Sequence, residues 1–158
     1  SRIQLENNTE PRHIVVNNDL IYLISEKSCE IYIIKFKNKK LSIINKFSIL
    51  PSNIEKRANY TGCAIKISKN HRFLYATIRG YNCINIYRVI KNDLRLIQNI
   101  SCYGNTPRDL CLDKAEKYLL VANQDSNQVA IFKRNMITGK IKFLENGKME
   151  LPTCIIIE

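Results

Sequence analysis

The chain has 158 residues, 45% of them hydrophobic and 25% charged, and carries a formal net charge of +11 at pH 7. That balance belongs to a folded globular chain and excludes the disordered and fibrous classes. Its apolar runs, such as Ile155 to Ile157, are a few residues long and fall far short of the roughly 18 to 20 residues a membrane helix needs. No basic-then-apolar leader opens the chain, so the expected location is the cytoplasm.

Ile, Asn and Lys number 25, 18 and 16, together 59 of 158 residues, and all three have AT-rich codons. Much of the positive charge therefore reflects coding bias. A nucleic-acid binder gathers its cations into a patch, whereas Lys27, Lys35, Lys66, Lys91, Lys117 and Lys142 are spread along the whole chain. Neither a nucleic acid nor a membrane is expected as a partner; attraction of a small anion stays open. Cysteines at 29, 63, 83, 102, 111 and 154 include no C-x-x-C pair, and only His13 and His71 accompany them. Reduced, mostly buried thiols are expected, with neither a metal site nor a disulfide framework.

In chain order the sequence offers a first strand at His13 to Val16, a second at Leu20 to Glu26, a third at Glu30 to Phe36 and, after the turn Lys37 to Lys40, a fourth from Leu41. A polar connection, Ser48 to Gly62, leads to the next set: Ala64 to Ile67, Phe73 to Arg79, Ile84 to Val89, and a strand from Leu94. The third set is Asp109 to Leu112, Tyr118 to Gln124, Val129 to Arg134, and a strand from Ile141. The second strands start at 20, 73 and 118, so they recur after 53 and then 45 residues. Four alternating strands per repeat at that period predict an all-β fold, a β-propeller of four-stranded antiparallel blades. The blade repeats are about 11–47, 63–101 and 107–146, and 151–158 reads as the first strand of a further blade. Closed propellers have roughly 4 to 8 blades. The chain, which opens on Ser and closes on an apolar strand, is thus expected to be part of a longer protein or a half that pairs with a second copy.

Glu26, Arg79 and Gln124 end the second strand in three consecutive repeats, so they are expected to face one another at one end of the channel. Arg12-His13 and Arg108-Asp109 enter the first strands after Pro11 and Pro107, whose fixed φ gives the following side chains reproducible directions. The blander reading makes all of them rim residues and turn devices. The functional reading takes His13 or Glu26 as general base and has Arg79 and Arg108 bind an anion or stabilise an oxyanion. Arg12, Gln124 and Asp109 then complete the substrate contacts.

No Gly-His or Trp-Asp pair marks the repeats. They carry instead Pro11-Arg12-His13, Ser25-Glu26, Leu50-Pro51, Arg72-Phe73-Leu74-Tyr75-Ala76 leading to Arg79-Gly80, Thr106-Pro107-Arg108-Asp109, Ala122-Asn123-Gln124-Asp125-Ser126 and Leu151-Pro152. This ordered set resembles the C-terminal half of the seven-bladed β-propeller lactonase family, whose bacterial members include 6-phosphogluconolactonase. The resemblance implies hydrolysis of 6-phosphoglucono-δ-lactone to 6-phosphogluconate in the oxidative pentose phosphate pathway, with no cofactor or metal and a small phosphorylated sugar lactone as partner. The chain departs from that family at Ala64, where an acidic residue is usual, at Ile78, and at Asn70-His71. Those departures keep two alternatives in view: a non-catalytic propeller scaffold, and a muconate-type lactonising enzyme on the same fold.

Overall fold

The computed structural model describes residues 1–157. Strands β1 (Pro11–Asn17), β2 (Leu20–Ser25), β3 (Glu30–Lys37) and β4 (Lys40–Ser48) form one antiparallel sheet in sequence order. A second sheet holds β5 (Thr61–Ile67), β6 (Phe73–Arg79), β7 (Cys83–Ile90) and β8 (Asp93–Ser101). The third holds β9 (Pro107–Leu112), β10 (Tyr118–Asn123), β11 (Gln128–Arg134) and β12 (Ile141–Lys148). These are three four-stranded blades of a β-propeller. Tight hairpins join neighbours within a blade: Asn38 and Lys39, both with positive φ (52° and 59°), turn β3 into β4 with the twist that favours antiparallel pairing.

Side chains alternate across a strand, and in the middle blade both faces are apolar. Leu74, Ala76 and Ile78 of β6 pack toward the first blade, against Tyr22, Ile24, Ile31, Ile33 and Ile65. Phe73 and Tyr75 of the same strand pack toward the third, with Leu110, Leu119, Val121, Ala130 and Phe132. The core is therefore two layers between blades. The outward faces of the first and third blades keep Ile14, Val16, Leu144 and Met149 exposed. The inner strands lie side by side, β5 between β1 and β9.

The connection between β4 and β5, polar by composition, is anchored by apolar residues. Ile49 and Tyr60 are buried, Leu50 and Ile54 pack on the first layer, and Gly62 N donates to Glu26 O at 2.9 Å. It thereby covers the end of β2. Residues 151–157 form no ladder among the described residues, and Glu158 lies outside them. The expected first strand of a further blade is tied by Leu151 N donating to Asn127 Oδ1 at 2.9 Å and Ile155 N donating to Asp109 Oδ2 at 3.0 Å.

A buried ion pair joins the second and third blades. Arg134, with its side chain fully buried, donates from Nε to Tyr75 Oη at 2.5 Å and from Nη1 to Glu116 O at 3.0 Å, and its Nη1 lies 3.5 Å from Glu116 Oε2. Glu116 Oε1 in turn accepts from Lys69 N at 2.6 Å. Removing one partner would strand the other charge away from water. Arg134→Ala is expected to lower stability by about 3–5 kcal/mol, read from the urea midpoint; a loss below about 1 kcal/mol would contradict this role.

Candidate active site

All three inner strands break register at the same place. β1 slips between Pro11 and His13, β5 between Gly62 and Ile65, and β9 where it meets Ala122 and Asn123. Arg12, Cys63 with Ala64, and Arg108 are left without ladder partners. A bulge bends the strand and re-aims the extra residue. Here it turns Arg12, Cys63 and Arg108 toward the ends of the second strands.

Glu26 follows β2 and Arg79 closes β6, so neighbouring blades present a carboxylate and a guanidinium to each other. Glu26 Oε2 takes Arg12 Nε at 3.0 Å, and Glu26 Oε1 pairs with Arg79 Nη2. Both arginine side chains are about six-sevenths buried, at 16% and 15% exposed, so the pairs are screened less than surface ones. Gly80 fixes the exit of Arg79: its φ is +78°, and a Cβ there would collide with Asn59 O. Arg12 Nη1 also donates to Cys63 O at 2.9 Å and lies 3.0 Å from His13 Nε2 and 3.3 Å from Nδ1. The guanidinium thus straddles the imidazole edge.

That placement sets the protonation of His13. Burial, then the Arg12 charge, hold its pKa below the ordinary 6.5; Asp109 acts against them, and Lys66 and Arg108 add smaller effects in the lowering direction. His13 is therefore neutral at pH 7 and able to accept a proton. Burial pushes the Cys63 thiol up despite Arg12, Arg79 and Arg108 nearby, so it stays protonated and donates to Arg108 O at 3.1 Å. Arg108 has no carboxylate partner among the described residues, and the buried Nε atoms of Arg79 and Arg108 have no hydrogen-bond partner. Arg12 and Arg79 share one carboxylate, and Arg108 pairs with none among the described residues. The cluster has surplus positive charge, which suits an anion bearing a carbonyl.

Of the residues singled out in the sequence, Arg12, His13, Glu26 and Arg79 meet directly; Cys63 ties in the backbone carbonyl of Arg108, whose guanidinium acts on His13 through its charge. Asp109 is buried and committed to backbone, its Oδ1 accepting from Leu110 N at 2.9 Å and its Oδ2 from Ile155 N. Gln124 sits in a short 3-10 turn, Gln124–Ser126, at the equivalent point of the third blade, and no hydrogen bond ties its side chain to the others among the described residues. Ala64 is fully buried in the second apolar layer, and its N–H is taken by Thr77 Oγ1 at 2.9 Å. Cys63, the hub of the cluster, escaped the sequence reading. Its signal is positional: it occupies in the second repeat the place of Arg12 and Arg108. Among the described residues no group of three His, Cys, Asp or Glu could hold a metal ion, and all six thiols are free.

Comparison with known proteins places this geometry. The family described as lactonase, 7-bladed beta-propeller, matches residues 1–157. A 6-phosphogluconolactonase of Formosa agariphila is 34% identical over 148 residues, covering 90% of this chain and 41% of its own length. One from Bacillus subtilis is 26% identical over 152 residues, covering 92% and 43%. A Lactobacillus plantarum protein of known crystal structure superposes with a TM-score of 0.91 at 27% identity, over 96% of this chain and 46% of that one. The chain spans less than half the length of the curated relatives it matches. The match along nearly its whole length shows that this chain belongs to the seven-bladed β-propeller lactonase family.

Proposed function

We propose that the cluster around Glu26 hydrolyses a phosphorylated sugar lactone, 6-phosphoglucono-δ-lactone, to 6-phosphogluconate, as a cytoplasmic step of the oxidative pentose phosphate pathway. The observation that carries this reading is a neutral His13 beside arginines whose charge exceeds that of the single carboxylate they share. The names of the Formosa and Bacillus relatives support the choice of substrate.

In this reading Glu26 is a positioning residue. Both its oxygens are taken by guanidinium groups, and proton transfer is assigned to His13, whose ring nitrogen is released as Arg12 Nη1 turns from it to the substrate anion. Water attacks the lactone carbonyl as His13 accepts its proton; Arg108, which has no carboxylate partner among the described residues, stabilises the oxyanion. The ring C–O bond then breaks, and the imidazolium returns the proton to the departing ring oxygen, leaving a hydroxyl and a carboxylic acid, which releases its proton to solvent as the carboxylate forms. Arg79 and Arg12 hold the anionic end of the substrate, and Gln124 orients sugar hydroxyls. Residues 151–158 begin a further blade, for which the bond from Ile155 N to Asp109 is the support. The remaining blades of the disc cover the exposed outer faces of the first and third.

Two outcomes test this. Arg108→Ala is expected to lower kcat/KM for the lactone by about a hundredfold or more, while thermal unfolding stays near that of the parent; a change within a few-fold would remove Arg108 from the chemistry. The rate requires unprotonated His13, whose pKa is depressed. Activity should therefore persist as pH falls through 6.5 and decline only below it. A decline already complete above 6.5, or the same profile in His13→Ala, would exclude His13 as the base.

A further inference from the structure

Away from the channel, Arg88 on β7 stands directly opposite Arg95 on β8 in the antiparallel ladder. Both are exposed, and neither has a carboxylate partner among the described residues. Like charges placed directly opposite weaken a strand pair. The third blade repeats the arrangement, with Lys133 opposite Lys142. In the first blade the equivalent Lys35 faces Ser42 and pairs with Asp19 at 3.5 Å, so the unpaired version is confined to the second and third.

Arg88 and Arg95 line an open groove of about 400 Å³ between those two blades, together with Thr138 and Lys140. Leu96 and Ile97 supply an apolar wall, and no carboxylate lines it. The walls are held in place. The Arg88 guanidinium lies 5.9 Å from the centre of the buried Phe73 ring, and Gly139, with φ of +75°, packs on that same ring where a Cβ would collide. Tyr75 Oη donates to Gly139 O at 2.9 Å. The Gln98 side chain meets both backbone groups of Ile141, each at 2.8 Å. The turn bearing Thr138 and Lys140 is thereby fixed to the second blade.

We propose that this groove is a second anion site, separate from the channel cluster, which takes a small, multiply charged phosphate compound. Arg88 and Arg95 present paired forks to phosphate oxygens, Lys140 adds a third charge, and the Thr138 hydroxyl donates. A bound anion relieves the cross-strand repulsion that the empty groove retains. The site does not depend on the lactone reading.

The test is calorimetric titration of inorganic pyrophosphate into the Arg108→Ala chain, which removes the channel cluster's unpaired guanidinium and leaves Arg12 and Arg79 paired with Glu26. Binding is expected there. Adding Arg95→Glu, which sets opposite charges across the ladder, should weaken it at least about tenfold and raise the melting temperature without ligand. Absence of binding in Arg108→Ala, an affinity within about twofold after Arg95→Glu, or a lower melting temperature for that variant would each overturn the proposal. Amide shift mapping on the unsubstituted chain reads the same question: shifts at Arg95, Thr138 and Lys140 support the groove, and shifts confined to Arg12, His13, Arg79 and Arg108 overturn it.

Discussion

A blade that is apolar on both faces must be covered on both, and this constraint generates the rest of the molecule. β6 shows it most fully, sending Leu74, Ala76 and Ile78 into one layer and Phe73 and Tyr75 into the other. Sheets that must stack face to face while twisting fan about an axis. The inner strands then converge, and residues far apart in sequence but equivalent in their repeats arrive at the same end of the channel. The site is a consequence of the packing: Glu26 and Arg79 meet because each ends the second strand of its own blade.

Within that geometry, electrostatics decides the chemistry. A lone carboxylate among three arginines is more useful as an anchor than as a base, since each of its oxygens already accepts from a guanidinium. Burial first, then the Arg12 charge with Arg108 adding to it, keep His13 neutral. Register breaks in β1, β5 and β9 make the arrangement possible, because in a regular ladder Arg12 and Arg108 would stand perpendicular to the sheet, toward a blade face.

Much of this could be read from the sequence, because period-two apolar strands recurring every 45 to 53 residues leave few architectures, and equivalent positions forecast which side chains meet. Pairing of Glu26 with Arg79 follows from that equivalence. Other features are long-range and leave no local pattern. The buried Arg134–Glu116 pair looks like two ordinary surface charges, 18 residues apart, until the third blade packs on the second. Cys63 resembles any small buried residue, although its carbonyl and thiol link Arg12 to Arg108. The connection after β4 looked polar because its anchors, Ile49, Ile54 and Tyr60, are scattered singly among charged residues.

The central claim is that surplus guanidinium charge beside a neutral histidine selects an anionic lactone. The most direct measurement compares the acceleration, over the uncatalysed rate in the same buffer, of 6-phosphoglucono-δ-lactone and of unphosphorylated glucono-δ-lactone by this chain. The account predicts clear acceleration of the phosphorylated substrate, at least about tenfold more efficient than the other, the worth of one charge-assisted contact. Equal acceleration of both, or none of either, would contradict it.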